Sequence, residues 1–296
     1  MALNLHHLRL FTAVADERGF GRAATALRLS QPAISRAIAE LERGVGLPLL
    51  DRSGKAVRLT DAGERLYARA RELFGVERAA EQELSELRGL QGGVLRVAAS
   101  TTIATYVLPK LLGQFRASHP AVRINVLSAN TRSVAKMLLE WRVDIALVEG
   151  PVAHQRMDVR PWMEDELVLI ASPAHRFARD HRASLAELAA EPFIVREPGS
   201  GTREVMRRAL EAHGVKLGRT MRLGGTEAIK QGVAAGLGLA FVSKAAVGDQ
   251  VALGTIAVVP VPGLSIGRTF AELRLRGRAA SPPAQAFAQL LGSRSE

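Results

Sequence analysis

Two short helical segments separated by a tight turn lie between Phe20 and Leu41, and few small folds contain such a pair. The first segment reads GRAATALRL. Ser30 after it is a favourable N-cap, and Pro32 falls in the first turn of the second segment. Apolar residues of the second segment recur at helical spacing and predict one buried stripe, formed by Ile34, Ala37, Ile38 and Leu41. Together these signals predict a helix-turn-helix unit.

The other face of the second helix carries side chains that can recognise bases. An amide, a small apolar ring, a hydroxyl and a guanidinium follow one another there, at Gln31, Pro32, Ser35 and Arg36. The first turns of a recognition helix enter the major groove, where amides and guanidinium groups form paired hydrogen bonds with base edges. We therefore predict that this face, with Ser30 at its start, reads double-stranded DNA.

A basic hairpin follows the helix pair. The stretch LLDRSGKAVRLTDAG predicts two short strands around Ser53-Gly54, which would form the wing of a winged helix-turn-helix. Its basic residues, Arg52, Lys55 and Arg58, are candidates for the phosphate contacts that fix the register of a protein on DNA. The alternative for each is a solvated surface charge. Three basic residues on a hairpin directly after a helix pair favour DNA contact.

The balance of charge agrees with a nucleic-acid partner. The formal net charge of the 296 residues is +11, although surplus arginine alone is weak evidence for function. The chain has no cysteine, which excludes disulfides and cysteine-ligated zinc. No stretch approaches the roughly 18 consecutive apolar residues of a membrane span, and the start of the chain lacks the pattern of a signal peptide. We expect a cytoplasmic protein with no membrane partner.

Residues 61–90 contain no proline and predict one long amphipathic helix. Its apolar positions repeat every seven residues and form a seam: Leu66, Leu73, Ala80 and Leu87, with Ala70 and Leu84 at the companion positions. Glu77 falls on the same seam and weakens it. The alternative is packing against its own domain, but a helix of about 40 Å is longer than so small a unit could cover. We predict a dimerisation helix.

After Gln91-Gly92-Gly93, which should end that helix, strands alternate with helices. Such alternation indicates βαβ units around a largely parallel sheet. A second series of strands and helices begins with ELVLIAS, and the last strand, RTFAELRLR, is expected to return with the final helix to the first lobe. Two α/β lobes joined by crossing strands would place a ligand cleft between them.

The predicted architecture is therefore an α-rich winged helix-turn-helix, a long linker helix and a two-lobed α/β effector-binding domain. The corresponding ranges are 1–60 for DNA binding, 61–91 for the linker and dimerisation helix, and 92–296 for the effector-binding domain. Within that domain, lobe I is expected to comprise about 92–165 and 266–296, and lobe II about 166–265.

Polar residues follow several of the predicted strands, where open α/β sheets bind ligands. The candidates for contact with an effector are Ser100, Thr101, Thr102, Thr131, Glu149, Arg196, Ser200, Gly201, Thr202, Arg203 and Thr226. Several of them open helices, whose N-termini bind anions through unsatisfied N–H groups and the helix dipole. The alternative for each hydroxyl or glycine is a helix cap or a loop turn. As a set they predict a site for a small anion: a carboxylate, a sulfur oxyanion or a phosphate ester.

The stretch from LFTAVADERGF through SQPAISR to the LTDAG that opens the long helix resembles the N-terminal domain of LysR-type transcription regulators. Gly19-Phe20-Gly21 departs from the family, which often has serines beside the aromatic residue, and could lack a cap or a phosphate-contacting hydroxyl. Residues 92–296 resemble the family's effector-binding domain, which is similar to periplasmic binding proteins. The resemblance implies a homodimer that assembles into a homotetramer and binds an imperfect inverted repeat with a T–A dyad.

A weaker resemblance concerns the subgroup. REPGSGTR and GGTEAIKQGVAAGLGLAFVS are similar to regulators of sulfur-assimilation and carbon-fixation operons. This similarity suggests a sulfur oxyanion as one hypothesis for the effector. Ligand closure of the cleft is expected to shift the placement of the dimers, and thereby DNA bending and exposure to RNA polymerase, a further candidate partner.

Three other classes of protein are alternatives to a ligand-switched regulator. An enzyme is disfavoured because GxSxG, HExxH and P-loop motifs are missing and the seven histidines are scattered. No cofactor or metal is expected. A solute-binding protein for transport fits the two lobes but not the DNA-reading segment. An architectural DNA-binding protein would keep its function without residues 92–296, whereas a sensor would lose its response.

Overall fold

The computed structural model describes residues 3–53, 56–87 and 92–292. The chain divides into two compact units, Met1–Glu81 and Gln82–Glu296. Lys55 of the predicted wing and Gln91 of the predicted helix end lie outside the described residues. No helix in the described ranges is both long and apolar enough to cross a membrane.

The first unit contains three helices, a two-stranded hairpin and a long fourth helix. These elements are α1 (Leu5–Glu17), α2 (Phe20–Leu27), α3 (Gln31–Val45), β1 (Leu50–Asp51), β2 (Arg58–Leu59) and α4 (Asp61–Leu87). The two hairpin strands pair antiparallel, with Leu50 opposite Leu59. The elements follow the order of a winged helix-turn-helix.

The turn between α2 and α3 has the signals that the sequence carries. Arg28 ends α2 in the left-handed region at φ 55°, and the Ser30 hydroxyl accepts a hydrogen bond from the Ala33 N–H at 3.4 Å. Ile34 and Ile38 of α3 are fully buried, as the predicted stripe requires. Gly19 stands at the N-cap of α2 without a side-chain hydrogen bond, so this departure from the family does lack a cap.

The hairpin is anchored to α3 by one carboxylate. Glu42 accepts hydrogen bonds from the N–H groups of Leu49 and Leu50, at 2.8 and 3.2 Å, and from the Arg52 guanidinium at 3.0 Å. The Arg52 guanidinium also lies 5.1 Å from the ring centre of Phe20. These contacts hold the wing against the helix pair.

The predicted seam of α4 has two parts, one that packs against the first unit and one that is exposed. Ala70 and Phe74 are buried in the core of the first unit, and Leu66 packs partly against it. Leu73 and Leu84 are 42% and 60% exposed. The prediction of one continuous seam was therefore wrong for Ala70, because the helix turns that residue towards its own domain. Glu77 is engaged within the unit as well, by two hydrogen bonds from Arg9 at 2.6 and 2.7 Å.

The second unit has two α/β lobes. Lobe I is built from β3 (Gly93–Ser100), α5 (Thr101–Tyr106), α6 (Leu108–Ser118), β4 (Val122–Ala129), α7 (Thr131–Leu139), β5 (Ile145–Glu149) and α13 (Pro282–Gly292). Lobe II is built from α8 (Arg176–Arg179), α9 (Leu185–Leu188), β7 (Phe193–Val195), α10 (Gly201–Ala212), β8 (Thr220–Arg222), α11 (Thr226–Ala234), β9 (Ala240–Ser243), α12 (Gly248–Ala252) and β10 (Ala257–Val259).

Two long strands run through both lobes. They are β6 (Met157–Ala171) and β11 (Ile266–Leu275), which pair antiparallel with a bulge between Phe270 and Ala271. The expected return of the last strand to lobe I is confirmed, because β11 also pairs with β5. Phe287 of α13 packs with Leu95 in the lobe I core, so the final helix returns as well.

The sheet is mixed, and the prediction of a largely parallel one was wrong. Among the described residues its strand order is β10-β6-β11-β5-β3-β4, with β9 on β6. Only β3, β4 and β5 are mutually parallel, whereas β6 and β11 pair antiparallel with every neighbour in the sheet. The difference arises because β6 and β11 connect the lobes directly, in opposite directions, and not through helical crossovers.

Candidate functional sites

The face of α3 predicted to read DNA is accessible. Gln31, Pro32 and Arg36 are exposed and Ser35 is half-buried, on the side opposite the buried stripe. Their amide, guanidinium and hydroxyl groups stand in the first two turns of the helix, where contacts with base edges are made. The structure therefore brings the predicted base-reading residues to one surface.

The basic residues of the wing differ in their surroundings. Arg52 is paired with Glu42, whereas Arg58 is exposed and faces the carboxylate of Asp51 across the hairpin. Backbone and side-chain hydrogen bonds from Ser53, followed by the charge of Arg58, lower the pKa of Asp51. Of these two arginines, Arg58 has the more accessible guanidinium for a phosphate, because the charge of Arg52 is already shared within the domain.

In the second unit, four of the eleven predicted effector residues meet at one buried residue, Glu149. Glu149, at the end of β5, is 1% exposed. Its side chain accepts hydrogen bonds from the hydroxyl of Ser100, at the end of β3, and from that of Thr202, in α10, at 3.3 Å for Thr202. The Thr131 hydroxyl, at the start of α7, donates to the backbone oxygen of Glu149 at 3.0 Å. Ends of two strands and starts of two helices thus converge at one point.

A buried arginine completes this group, and the sequence reasoning missed it. Arg268 of β11 donates to Asp165 of β6 at 2.7 Å and to the Thr202 hydroxyl at 2.8 Å. The side chains of Arg268 and Asp165 are 1% and 4% exposed. Ser243 also donates to Asp165, at 2.8 Å. We call Ser100, Thr131, Glu149, Asp165, Thr202 and Arg268 the Glu149 cluster. RTFAELRLR contains three arginines and a glutamate, and no local pattern singles out Arg268 among them.

Two buried polar atoms beside the cluster have unused hydrogen-bonding capacity. Nη2 of Arg268 and the hydroxyl of Thr101 have no hydrogen-bond partner among the described residues. Thr101 follows Ser100 directly, at the start of α5. Native proteins satisfy nearly all buried donors, so two such groups in one region indicate room for a ligand or an ordered water.

A second set of contacts joins α5 of lobe I to lobe II. The hydroxyls of Thr102 and Thr226 lie 3.3 Å apart, and Nη1 of Arg196 lies 3.5 Å from that of Thr226. Arg196 also forms two hydrogen bonds with Glu197, at 2.8 and 2.9 Å. Burial raises the pKa of Glu197, but the hydrogen bonds and charge of Arg196 outweigh that effect and leave this pKa lowered.

The same lobe contact extends to three residues that were not predicted. The Tyr106 hydroxyl donates to Glu227 at 2.8 Å. Lys230, 2% exposed, lies 3.0 Å from Glu227 and 4.7 Å from the ring centre of Tyr106. Burial, followed by the hydrogen bond and charge of Glu227, raises the pKa of Tyr106. Tyr106 therefore stays a neutral donor and ties α5 to α11.

Two glycines allow the lobes to approach closely. A Cβ built on Gly201 would lie 1.8 Å from the backbone oxygen of Glu149, and one on Gly150 would lie 2.8 Å from Cα of Gly201. The Gly201 N–H donates to the Thr131 hydroxyl at 3.2 Å. Glycine is thus required at position 201 for the close backbone contact with Glu149.

Two predicted residues lie apart from the cluster. The Ser200 hydroxyl caps α10 by accepting from the Arg203 N–H at 3.4 Å, which is the structural alternative considered for it. Arg203 lines a cavity of about 730 Å³ between α7 and α10, which adjoins the cluster at Thr131. Its Nη1 atom is buried without a hydrogen-bond partner in the described part of the chain.

The charged side chains of the Glu149 cluster and of the neighbouring lobe contact limit which ligands can bind there. Two arginines, Arg196 and Arg268, face three carboxylates, those of Glu149, Asp165 and Glu197. Asp165 and Glu197 are each bound by an arginine, whereas Glu149 is held by hydroxyls. An anion that enters must therefore share donors with Glu149, or supply a proton to it.

Comparison with known families covers nearly the whole chain. The model of the bacterial regulatory helix-turn-helix protein, LysR family, matches residues 5–64, and that of the LysR substrate binding domain matches residues 88–296. An uncharacterized HTH-type transcriptional regulator of Escherichia coli K12, YeiE, is 38% identical over 93% of this chain and 92% of its own length.

Two further matches concern carbon fixation and a ligand. The RuBisCO operon transcriptional regulator of Allochromatium vinosum is 35% identical over 98% of this chain and 96% of its own length. The CcmR regulatory domain of Synechocystis PCC6803, solved in complex with 2-PG, superposes with a TM-score of 0.64 at 28% identity. It covers 69% of this chain and 98% of that domain. The relative from A. vinosum agrees with the carbon-fixation part of the subgroup resemblance.

Proposed function

The chain belongs to the LysR family of DNA-binding transcription regulators, and from that premise we propose that a small anion bound at the Glu149 cluster switches its activity. The observation that carries the proposal is the pair of buried, unpartnered donors, Arg268 Nη2 and the Thr101 hydroxyl, among the described residues of this region. Thr101 follows Ser100 in the chain and Arg268 donates to the Thr202 hydroxyl, so an anion bound there could also share the hydroxyls of Ser100 and Thr202. The effector binds and is not turned over.

Glu149 restricts the kind of anion. A buried carboxylate repels a ligand that offers only acceptors, because each charge is poorly solvated there. A ligand with an acidic group and a hydrogen-bond donor avoids this penalty by donating to Glu149 while its other oxygens bind Arg268 and the hydroxyls. Hydroxycarboxylates have such a donor in their hydroxyl, and phosphate monoesters, whose second pKa is about 6, acquire one by binding a proton at a cost of about 1.4 kcal/mol near neutral pH. The binding of 2-PG by the similar CcmR domain supports this class.

Sulfate fits less well under the same argument. It carries no proton near neutral pH and presents acceptors alone, so Glu149 disfavours it. Among the sulfur oxyanions that the subgroup resemblance suggests, sulfate therefore ranks below a phosphate ester. Arg196, Thr102, Thr131 and Thr226 complete the proposed site by holding α5, α7 and α11 around the ligand.

DNA is the other partner. We propose that Gln31, Ser35 and Arg36 contact bases, with Ser30 and Pro32 positioning the helix, while the wing residues Arg52, Lys55 and Arg58 contact phosphates. The exposed part of α4 supplies the dimer contact, and dimers pair into a tetramer on an inverted repeat. The effector acts by favouring one arrangement of the dimers, which alters DNA bending and access for RNA polymerase. Because the partner is DNA, we place the protein in the cytoplasm.

Thermal unfolding of the full chain tests the effector site. The panel contains phosphate monoesters with 2-PG among them, hydroxycarboxylates and sulfate. A ligand at one hundred times its Kd adds about 2.7 kcal/mol to the free energy of unfolding. For the effector-binding domain, which has about 200 residues, this raises Tm by roughly 5–10 °C. Thr101→Val should reduce this shift, because it removes an unpartnered donor at the site.

The matched control is Thr105→Val, on the same helix but exposed. Its Tm shift should equal that of the unmodified chain. If no member of the panel raises Tm, or if both threonine variants respond alike, the proposed effector site is wrong.

A further inference from the structure

A groove of the second unit adjoins the Glu149 cluster, and among its described lining residues only Thr131 belongs to that cluster. It encloses about 730 Å³ between α7 of lobe I and α10 of lobe II, with the segment from Pro151 to Met157 along one side. Its described lining includes neither Glu149 nor Arg268. The volume lies in the range of about 300–1,000 Å³ that is typical of small-molecule pockets, and it exceeds the need of a single inorganic phosphate.

The groove is strongly cationic. Its described lining has one carboxylate, that of Glu204, and five cationic side chains: Arg132, Lys136, Arg203, Arg207 and Arg208. Glu204 is itself bound to Arg207 and Arg208, each at 2.7 Å. Lys136 lies 3.5 Å from Glu140. Within the described ranges, Arg132 and Arg203 have no carboxylate at ion-pair distance, so the groove carries cations that the protein leaves uncompensated.

Arg203 provides a second, independent observation. Its Nη1 atom is buried and lacks a hydrogen-bond partner among the residues that the structure describes. A charged donor removed from water costs free energy unless an acceptor replaces the lost hydration. An anion in the groove would supply that acceptor.

The N-termini of α7 and α10 lie at the same end of the groove. The Arg132 N–H, at the start of α7, donates to the backbone oxygen of Gly199, just before α10, at 3.1 Å. Both N-termini therefore lie together, and their dipoles add to the positive potential. Further along, the lining becomes apolar, with Ala135, Leu139, Val152 and Met157.

We propose that this groove is a second ligand site, which binds an organic polyphosphate of nucleotide size. Adjacent phosphates bind Arg132, Lys136 and Arg203 near the helix starts, and the organic part packs on the apolar wall. The ligand contacts both lobes and so favours the closed arrangement. The Thr131 hydroxyl, bonded to both Glu149 and Gly201, links this site to the effector site, and the coupling is reciprocal.

The test is a titration of the full chain with tripolyphosphate and with ATP, at two salt concentrations. Arg132→Gln combined with Lys136→Gln removes two exposed cations of the groove without touching the Glu149 cluster. Loss of two charge-assisted contacts should weaken binding of both probes at least about tenfold. ATP should bind more tightly than tripolyphosphate, because only ATP uses the apolar wall.

The control is Lys110→Gln combined with Arg116→Gln, two exposed cations of α6, which should leave the affinity unchanged. Thr101→Val, which weakens the effector site, should also retain polyphosphate binding, so the two sites can fail separately. The inference is overturned if both double variants lose affinity equally, which would indicate attraction by net charge alone. It is also overturned if the groove variant loses affinity for DNA but not for ATP.

Discussion

The face of α3 that we propose reads DNA and the Glu149 cluster use similar side chains in opposite environments. Both combine hydroxyls with a guanidinium, but Gln31 and Arg36 are exposed whereas Glu149 and Arg268 are buried. The polar groups on the surface need no protein partner, because water forms hydrogen bonds with them until DNA binds. The buried residues must satisfy one another until a ligand replaces some of those bonds. The contrast teaches that substitutions in the cleft alter folding and binding together, whereas those on α3 alter binding alone.

The largest expected effect comes from Arg268→Met. It leaves Asp165 buried and without its charged partner, and breaking one side of a buried ion pair costs about 3–5 kcal/mol. Chemical denaturation of the full chain measures this loss in the free energy of unfolding. Arg276→Met, at the residue directly after the same strand, is the matched control, because its ion pair with Asp158 is exposed and contributes about 1 kcal/mol or less. If both variants lost the same free energy of unfolding, the contrast between buried and exposed charges would be wrong.

The exposed part of α4 should resemble the exposed face of α3, where substitutions alter binding but not folding. Leu73→Asp combined with Leu84→Asp should dissociate the proposed dimer, with a loss of roughly 3 kcal/mol or more for two leucines no longer buried. The melting temperature of the separated chain should not fall, since both side chains are exposed in one protomer. Sedimentation velocity measures the dissociation. Leu253→Asp, at a position that is 76% exposed, is the control and should remain dimeric.

Substitution of a residue that contacts a base should change the affinity for DNA by a smaller amount and should not affect folding. Arg36→Ala should cost about 1–3 kcal/mol of affinity for the sequence that the protein selects from random DNA, and should relax its preference at one base pair. Arg58→Ala should weaken binding to all sequences and lower the salt dependence of affinity by about one unit. Fluorescence anisotropy at several salt concentrations separates the two behaviours. An Arg36 variant that unfolds at a lower denaturant concentration would contradict the contrast.

The smallest expected effect lies at the contact between the lobes. Tyr106→Phe removes the hydroxyl that donates to Glu227, a hydrogen bond of about 0.5–1.5 kcal/mol. The closed form should become less populated, so the affinity for the effector should fall by no more than about tenfold. Tyr67→Phe, in the first unit, is the control and should leave effector affinity unchanged. Calorimetric titration measures both.

The fold was predictable where periodicity and capping act locally. The turn at Arg28 and Ser30 and the stripe at Ile34 and Ile38 depend on neighbours in sequence, and they were found. The antiparallel partners of β6 and the burial of Ala70 depend on residues far along the chain, and they were missed.

The same distinction holds for the cleft. Ser100, Thr131 and Thr202 follow strands or open helices and could be nominated from that position. Arg268 reaches Thr202 from 66 residues away, through a pairing of strands that no local pattern specifies.

The central claim is that Glu149 makes the cleft select an anion that donates a hydrogen bond. The most direct measurement is the affinity of a phosphate monoester and of sulfate for the full chain and for its Glu149→Gln variant, after equal unfolding midpoints are established. The unmodified chain should favour the phosphate monoester by at least about tenfold, or about 1.4 kcal/mol. Glu149→Gln should reverse or abolish that preference. A preference that survives the substitution, or sulfate binding more tightly to the unmodified chain, would contradict the account.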